Sequence, residues 1–528
     1  MPLKETQDQI ITLKFGGGQN SSASEDDINP SECAVGHNFV LDLNNKNLRP
    51  RKPIVKLGAA PNGQEIRGFA TLVDSDGAAT ILVQAGATVY NWSSIIGFVN
   101  VGTVSATAKL RGHAHHYWAL GDYVIITDVN LIEKVWTWDG SAFTAFTENL
   151  AGDFKAKYCW IDNERVQFAN VISNSTATPH MIVTSALSDP NTLSVSSRPS
   201  SALGASDPFY LLTPDLRPIN GMIGFYKGLV VSTEKGSLYK IVGSDSTDTE
   251  ILPSYPRSGA TGVESFVHTG NDIFYGRMGR LESVTSTDTY GDISSNDLTT
   301  KISDEVDHHT NWQIAYNSRT QRVYAHAVGE EEIWQYSKDF EGTEISPWVR
   351  FTTQNSFAMN PSAMMSMIDP VDGLEYIYMG DASGNLYKIE GTLGDFDCGE
   401  NNIECVFRSA LFKIDGEKIG ETFTGHISYR AAVDATVTIK VLCGGSDVST
   451  DTTTLTLKGT AGGSYFGGSA YFGGDFYFGA AFDGRFRREH FTPAGRGEEL
   501  QIEVSHDGAV DFEINEIVLR FESRTNNS

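Results

Sequence analysis

Two segments of this 528-residue chain share a pattern that decides its fold: residues 229–241 read LVVSTEKGSLYKI and residues 377–389 read IYMGDASGNLYKI. Each is a run of β-branched or aromatic residues, a glycine-containing turn, and a second run ending in Leu-Tyr-Lys-Ile. This order predicts an antiparallel β-hairpin. Looser copies of the hairpin pattern occur at residues 81–92, 123–138, 273–284 and 323–336.

The spacing of these hairpins indicates a repeat architecture. Neighbouring copies start roughly 40 to 50 residues apart, which is the period of a propeller blade made of four strands. The interval from 123 to 229 is about twice as long and has room for further units. We therefore predict an all-β chain whose centre is a β-propeller of about six to seven blades. A long β-sandwich, or a pair of sandwiches, is the alternative, and the likeness of the hairpins themselves favours the propeller.

Composition divides the chain into three parts. Residues 1–55 are expected to form an N-terminal arm, because FGGG at 15–18 and the polar stretch at 21–32 cannot build a core alone. Residues 56–395 are expected to hold the propeller. Residues 396–528, which follow a turn-rich linker, alternate as the strands of a small β-sandwich do. One short helix is predicted over residues 296–308, with a serine at 294 or 295 as its cap.

A glycine and aromatic tract, GGSYFGGSAYFGGDFYFG at residues 462–479, interrupts the C-terminal sandwich. Glycine opposes a regular strand, whereas Tyr and Phe supply large contact surfaces. The tract is either a loop whose aromatic tips dock on a partner or two bulged strands that cover the sandwich core. The candidate partner-contact residues are Tyr465, Phe466, Tyr471, Phe472, Phe476, Tyr477 and Phe478.

The chain is strongly acidic, with 40 Lys and Arg against 66 Asp and Glu and a net charge of −26. Binding to nucleic acid needs clustered cations, so the chain is a poor candidate for gripping phosphates. Its acidity fits a surface along which nucleic acid moves without being held, although solubility alone also explains it. Glu330, Glu331 and Glu332 lie at a predicted hairpin tip and are the candidate channel-facing acidic cluster; an ordinary solvated turn is the alternative.

Motifs of enzymes and of targeting are missing from the sequence. The phosphate-binding GxxxxGK[ST], the GxSxG elbow and HExxH are all absent. The histidine clusters at 113–116 and 308–309 are better explained as strand or helix-end residues than as metal ligands. We therefore expect no catalytic residue, no metal and no cofactor.

The cysteines and the apolar runs bear on the compartment. Five cysteines in no zinc or CxxC spacing predict free thiols in a reducing environment. No apolar run approaches the roughly 20 residues of a membrane span, and the first residues do not read as a secretory signal.

The arm, the blades and the C-terminal region together resemble one family, the β-propeller tail proteins of short-tailed bacteriophages, known as packaged-DNA stabilisation, tail hub or nozzle proteins. The segments that carry the resemblance, in order, are FGGGQN at 15–20, DDI at 26–28, Glu32, NFV at 38–40, LRPR at 48–51, WALGDYVI at 118–125, VTSALSDP at 183–190, residues 229–241, DISSNDLTTKI at 292–302, GRG at 495–497, QI at 501–502 and residues 512–519. Lys52-Pro53 replaces the family's usual Pro-Gly, and the glycine and aromatic tract is not a family feature.

The resemblance implies a structural virion protein rather than an enzyme. It implies a homo-oligomeric ring, expected to be a hexamer, below a portal and adaptor, with other tail proteins such as fibres as partners. Genome DNA would pass through an acidic lumen without sequence-specific binding, and the protein would be assembled in the host cytoplasm into the virion tail. The alternatives are a propeller adhesin that binds glycans and a glycan depolymerase on the tail.

Overall fold

The computed structural model is described for all residues except short gaps and one long one. The undescribed residues are 1–6, 42–45, 114–120, 151, 226–227, 235, 244, 256–258, 263, 271, 287–292, 341–342, 354–358, 390–396, 399–400, 414–417, 432, 444–448, 460–485, 493–495, 498, 509 and 526–528. Among the described residues, no helix has the length and apolar character needed to cross a membrane.

The first three strands belong to the N-terminal segment. They are β1 (Gln7–Lys14), β2 (Cys33–His37) and β3 (Val55–Ala59). Five four-stranded blades follow. Blade one is β4 (Ile66–Val73), β5 (Ala79–Ala85), β6 (Thr88–Ser93) and β7 (Gly97–Thr103), and blade two is β8 (Leu110–His113), β9 (Val124–Asp128), β10 (Trp136–Trp138) and β11 (Phe143–Ala145). Blade three is β12 (Phe154–Asp162), β13 (Arg165–Ser173), β14 (Thr176–Thr184) and β15 (Phe209–Leu212). Blade four is β16 (Ile219–Gly224), β17 (Leu229–Thr233), β18 (Leu238–Val242) and β19 (Glu250–Tyr255). Blade five is β20 (Phe266–His268), β21 (Asp272–Arg277), β22 (Arg280–Ser286) and β23 (Ile293–Asp297).

Two more blades complete the propeller. A single helical turn, α1 (Ser303–Val306), leads into blade six, which is β24 (Trp312–Asn317), β25 (Arg322–Ala327), β26 (Ile333–Ser337), a 3-10 turn (Lys338–Phe340) and β27 (Trp348–Phe351). Blade seven is β28 (Ala363–Ile368), β29 (Glu375–Gly380) and β30 (Asn385–Lys388), with β3 as its outer strand.

The seven blades close into a ring. The first strand of each blade packs against the neighbouring blade toward the centre, and the first strand of blade seven packs back on β4 of blade one. The outer strand of blade seven comes from the other end of the chain, because β3 pairs antiparallel with β30 from Val55 opposite Lys388 to Ala59 opposite Asn385. The all-β propeller predicted from the sequence is therefore present, with seven blades.

The hairpins that revealed the repeat occupy one equivalent place. The six quoted segments cover the second and third strands of blades one, two, four, five, six and seven. The long interval between the copies at 123 and 229 holds blade three, whose equivalent hairpin is β13–β14. These central strands are buried on both faces, as in β17, where every residue of Leu229–Thr233 is buried, which is why they read as continuous apolar runs.

The helix predicted over residues 296–308 is wrong for most of its length. Residues up to Asp297 are the outer strand of blade five, paired with β22, and helix is confined to Ser303–Val306. The apolar residues spaced by four, which suggested a helix, have another explanation. Ile302 and Val306 lie in the core beside Trp312. Strand pairing with β22 outweighs the weak local helix signal.

The remaining strands build a two-sheet sandwich. They are β31 (Ile403–Ser409), β32 (Phe412–Lys413), β33 (Lys418–Ala431), β34 (Ala435–Cys443), β35 (Ser449–Leu457), β36 (Arg487–Phe491), β37 (Arg496–Gly497), β38 (Glu499–Gly508) and β39 (Phe512–Thr525). One sheet runs β1-β39-β33-β36 with β37 on β33, and the other runs β2-β31-β38-β34-β35 with β32 on β38.

The N-terminal segment joins the sandwich to the propeller. Its strands β1 and β2 lie in the two different sheets of the sandwich. The end of β2 also forms a parallel bridge with β27 of blade six, where His37 is opposite Arg350. The core is continuous across this junction, with Phe15 and Phe39 both packed edge-on against Phe407.

Candidate functional site

The candidate acidic cluster lies on the β25–β26 turn of blade six, the hairpin tip that the sequence indicates. Glu330 and Glu331 are exposed, whereas Glu332 is partly buried, with a side chain 18% exposed. Glu332 Oε1 accepts a hydrogen bond from Trp334 Nε1 at 2.8 Å, and its Oε2 lies 3.3 Å from Arg350 Nη1. Glu330 and Glu331 therefore present their charges to solvent, whereas the carboxylate of Glu332 is bound by Trp334 and Arg350. That Glu330 and Glu331 face a lumen between copies stays a prediction.

Arg350, on the outer strand of blade six, connects this turn to its surroundings. Its Nη1 also lies 3.5 Å from Glu305 Oε2, in the connection between blades five and six. Its Nε donates to His37 Nε2 at 3.1 Å, and its guanidinium lies over the Trp334 ring. One cation thus joins the acidic turn, the α1 connection and the strand that enters the sandwich.

The electrostatics of this contact favour a neutral histidine. Burial, and next the Arg350 charge, lower the pKa of His37 to about 4. Burial raises the pKa of Glu332, and Arg350 opposes that rise. A neutral His37 presents an acceptor nitrogen to the guanidinium, whereas a protonated ring would repel it.

The glycine-rich FGGGQN segment fits against the edge of blade six. Gly18 N donates to Ser346 O at 2.9 Å and Gln19 N donates to Trp348 O at 2.8 Å. A Cβ atom at Gly18 would lie 2.0 Å from the carbonyl oxygen of Trp348, so the close backbone approach requires glycine there.

A buried carboxylate fixes the next part of the arm. Glu32 is fully buried and accepts hydrogen bonds from Asn20 Nδ2 at 2.7 Å and from Ser346 N at 2.5 Å, with Lys301 Nζ at 3.3 Å. Nearby, Ser22 Oγ accepts from Ser303 N at 2.7 Å. The polar stretch of the arm is therefore held by buried hydrogen bonds, in addition to the apolar contacts that Phe15 and Phe39 make in the shared core.

The basic LRPR segment is anchored by a second buried pair. Arg51 Nη1 donates to Asp397 Oδ1 at 3.0 Å, and Arg51 Nε donates to Asn38 Oδ1 at 2.8 Å. Asp397 Oδ1 also accepts from Ile54 N at 2.7 Å. Asp397 belongs to the linker after blade seven, so this pair ties the entry of the propeller to its exit.

The central channel of the propeller is bridged at one end. Lys109, just before the inner strand of blade two, reaches across to Glu264, just before that of blade five, with Nζ to Oε2 at 2.7 Å. Lys109 Nζ and Gln313 Nε2 both donate to Ser362 O, at 3.3 and 3.1 Å. One cavity of about 160 Å³ lies between the inner strands of blades one, two, five, six and seven. Ligand pockets are usually larger, about 300 to 1,000 Å³.

Two groups of predicted residues have different outcomes. The candidate partner-contact tract from Tyr465 to Phe478 lies outside the described residues.

Four of the five cysteines are free thiols, buried at Cys33, Cys159 and Cys405 and partly buried at Cys398. Glu32 and Asp397 accept hydrogen bonds from residues in distant segments of the chain. The sequence alone shows them only as acids beside apolar residues, so it does not identify them as buried acceptors.

Comparisons with known proteins match the fold and no more. No protein-family model and no curated protein matches the chain. Among solved structures, virginiamycin B lyase from Staphylococcus aureus is 11% identical with a TM-score of 0.42, over 64% of this chain and 99% of that one. The WD40 domain of Toxoplasma gondii coronin is 9% identical with a TM-score of 0.35, over 74% of this chain and 88% of that one. At this level the likeness carries no argument about activity, and the propeller is identified by its own sheet topology.

Proposed function

We propose that this chain is a structural component of a short-tailed phage tail, a nozzle or hub protein without catalytic activity. Copies of it, expected to number six, form a ring below the portal and adaptor. The ring retains the packaged genome and lets it exit on infection. The chain is assembled into the virion tail in the host cytoplasm, with the adaptor and tail fibres as its partners.

The observation that carries the proposal is the order of the architecture. An arm, a propeller and a terminal sandwich follow one another in the order that the family resemblance implies. The segments that carry the resemblance in the arm also make contacts that stabilise the fold. FGGGQN packs on blade six, Glu32 is a buried hydrogen-bond acceptor, and LRPR supplies the buried Arg51. These motifs therefore hold the three parts together, as expected of a rigid assembly component.

The DNA path of this proposal runs between copies, not through one propeller. Inside a propeller, Lys109 of blade two and Glu264 of blade five lie 2.7 Å apart, which leaves no passage for a duplex at that point. A ring of copies makes head-to-tail contacts that close, and encloses a lumen of its own. With a net charge of −26 per chain, such a lumen repels phosphates and leaves the genome free to move.

The alternative is a tail protein that binds or cleaves host-surface glycans. A hydrolase needs convergent carboxylates in an open cleft, whereas the carboxylate of Glu264 at the channel is paired with Lys109. An adhesin would use the glycine and aromatic tract, whose aromatic side chains suit sugar faces. The sequence of the tract is the observation that favours this second function.

The proposal is tested by the mass of the purified protein in solution, alone and with candidate adaptor and fibre proteins of the same phage. Mass photometry should show a closed oligomer, or a monomer that becomes one when the tail proteins are added. A monomer or trimer that ignores those proteins would contradict the proposal. A glycan array and an assay of released reducing ends, run on the same sample, would then separate adhesin from depolymerase.

A further inference from the structure

Three side chains that could bind a metal converge on one face of blade six. His308 and His309 follow helix α1, and Glu330 lies on the β25–β26 turn. One ligand atom from each residue lies within 4.8 Å of the others. The two segments are brought together by the fold, because the connection into blade six lies beside the turn of that blade's central hairpin, where Val328 N donates to Asn311 O at 3.0 Å. The geometry points to a divalent transition-metal site, best suited to Zn²⁺, at His308, His309 and Glu330.

His309 is the buried member of the cluster. Its side chain is 5% exposed, its Nδ1 lies 3.9 Å from Glu330 Oε1, and its Nε2 has no hydrogen-bond partner. A gap of 3.9 Å is too wide for a hydrogen bond, but two ligands of one ion can span it with a small adjustment.

The other two ligand side chains are exposed and can make that adjustment; His308 Nδ1 now lies 3.5 Å from Asp307 Oδ1. The side chains of His308 and Glu330 are 62% and 48% exposed. Zinc bonds of about 2.0 to 2.2 Å place tetrahedral ligand atoms about 3.4 Å apart. Rotation of the two exposed side chains closes the present spacing to that value, while His309 stays fixed against the edge of Trp312.

The ligand chemistry selects the metal. Two imidazoles and one carboxylate are borderline and hard donors, which suit Zn²⁺ better than Ca²⁺ or Mg²⁺. The fourth position of the ion would be filled by water or by a group of a neighbouring protein.

A metal here would act on the contacts of the arm. It would join the β25–β26 turn to the connection that carries Ser303, whose backbone N–H binds Ser22 of the arm. Glu305 in the same connection accepts a hydrogen bond from Gln19 and pairs with Arg350. Zinc would therefore stabilise the fold where the arm meets blade six, a role that does not depend on the proposed place in a tail.

The test is a calorimetric titration of tag-free, EDTA-treated protein with ZnCl₂, followed by Co²⁺ substitution. We expect one Zn²⁺ per chain, a rise in the unfolding temperature, and visible Co²⁺ absorption typical of four-coordination. Glu330→Gln and His308→Ala, which change exposed side chains, should each weaken Zn²⁺ binding at least about tenfold. His309→Ala should do the same.

The control is a second histidine pair, His426 and His490, which face each other across strands β33 and β36 with ring centroids 5.8 Å apart. His426→Ala should leave the Zn²⁺ affinity unchanged. Absence of Zn²⁺ binding would overturn the inference. So would binding that survives both Glu330→Gln and His308→Ala, or that is lost with His426→Ala instead.

Discussion

Arg51 and Asp397 form an ion pair whose side chains are 1% and 0% exposed, and it joins the start of the propeller to the linker that follows the last blade. The pair is satisfied on both sides, with Asn38 accepting from Arg51 and Ile54 N–H donating to Asp397. The pair therefore stabilises the place where strand β3 joins blade seven and closes the ring of blades. A buried pair of this kind is costly to break from one side, because the remaining charge stays out of water.

Replacement of Asp397 tests that closure. Asp397→Asn removes the charge opposite Arg51, and we expect the protein to lose about 3 to 5 kcal/mol of stability, as for other half-broken buried pairs. Urea unfolding followed by tryptophan fluorescence measures the loss. The exposed pair of Asp434 and Lys458 provides the control, and Asp434→Asn should leave the unfolding midpoint unchanged. Equal effects of the two variants would show that the buried pair does not close the ring.

The close approach at Gly18 gives a second prediction. Gly18→Ala places a methyl group where the Trp348 carbonyl lies 2.0 Å away, so the arm should loosen from blade six at a cost of about 1 to 3 kcal/mol. Limited trypsin digestion should then cleave faster at Lys14. Gly204→Ala is the matched control, because Gly204 is exposed and its added Cβ would be 3.4 Å from the nearest atom. An unchanged cleavage rate in Gly18→Ala would contradict this account of the arm.

The contact between His37 and Arg350 predicts a dependence of stability on pH. The pKa of His37 is lowered from 6.5 to about 4 in the folded state, so the unfolded chain binds the proton more readily. The stabilisation is therefore complete above about pH 6.5 and is lost as the pH falls toward about 4, by up to about 3 kcal/mol.

Unfolding midpoints measured from pH 7 to pH 4 check this expectation. His37→Gln keeps an acceptor for Arg350 but has no proton to bind, so its stability should fall less steeply over the same range. His180→Ala, in blade three, should follow the original protein. If His37→Gln falls just as steeply, the pH dependence has another origin.

The exposed glutamates of the acidic turn make a prediction about DNA. If Glu330 and Glu331 face the lumen of the assembled ring, replacing Glu331, which is not a ligand of the proposed zinc site, by Lys converts a repulsive charge into a phosphate contact. The assembled variant should then retain DNA more strongly at low salt, with an affinity that falls steeply as salt rises. Filter binding at several salt concentrations measures this. The same charge reversal at the exposed Glu489 of the sandwich is the control, and equal retention by both variants would show that the turn does not face the lumen.

The propeller could be predicted because its strongest signal is local. Each central hairpin carries its own apolar runs and turn, so the copies at 229–241 and 377–389 are recognisable without a partner. Blade three was not recognised because β13 and β14 are nine residues long each, unlike the short apolar runs of the other hairpins. The helix over 296–308 was wrong because an apolar spacing of four residues also fits a strand end followed by one buried turn.

The contacts that hold the parts together could not be predicted in the same way. Arg51 and Asp397 are 346 residues apart, and Arg350 meets His37 across 313. His309 and Glu330 meet only because the connection into blade six lies beside the β25–β26 turn. Such pairs carry no local pattern, since their energy comes from burial that the completed fold provides.

The measurement that tests the central claim most directly is a cryo-electron microscopy reconstruction of the protein assembled with its tail partners. The account predicts a closed ring, expected to contain six copies, around a lumen between copies that is wide enough for duplex DNA and negatively charged. A single propeller or a trimer without such a lumen, seen in the presence of the same partners, would contradict it.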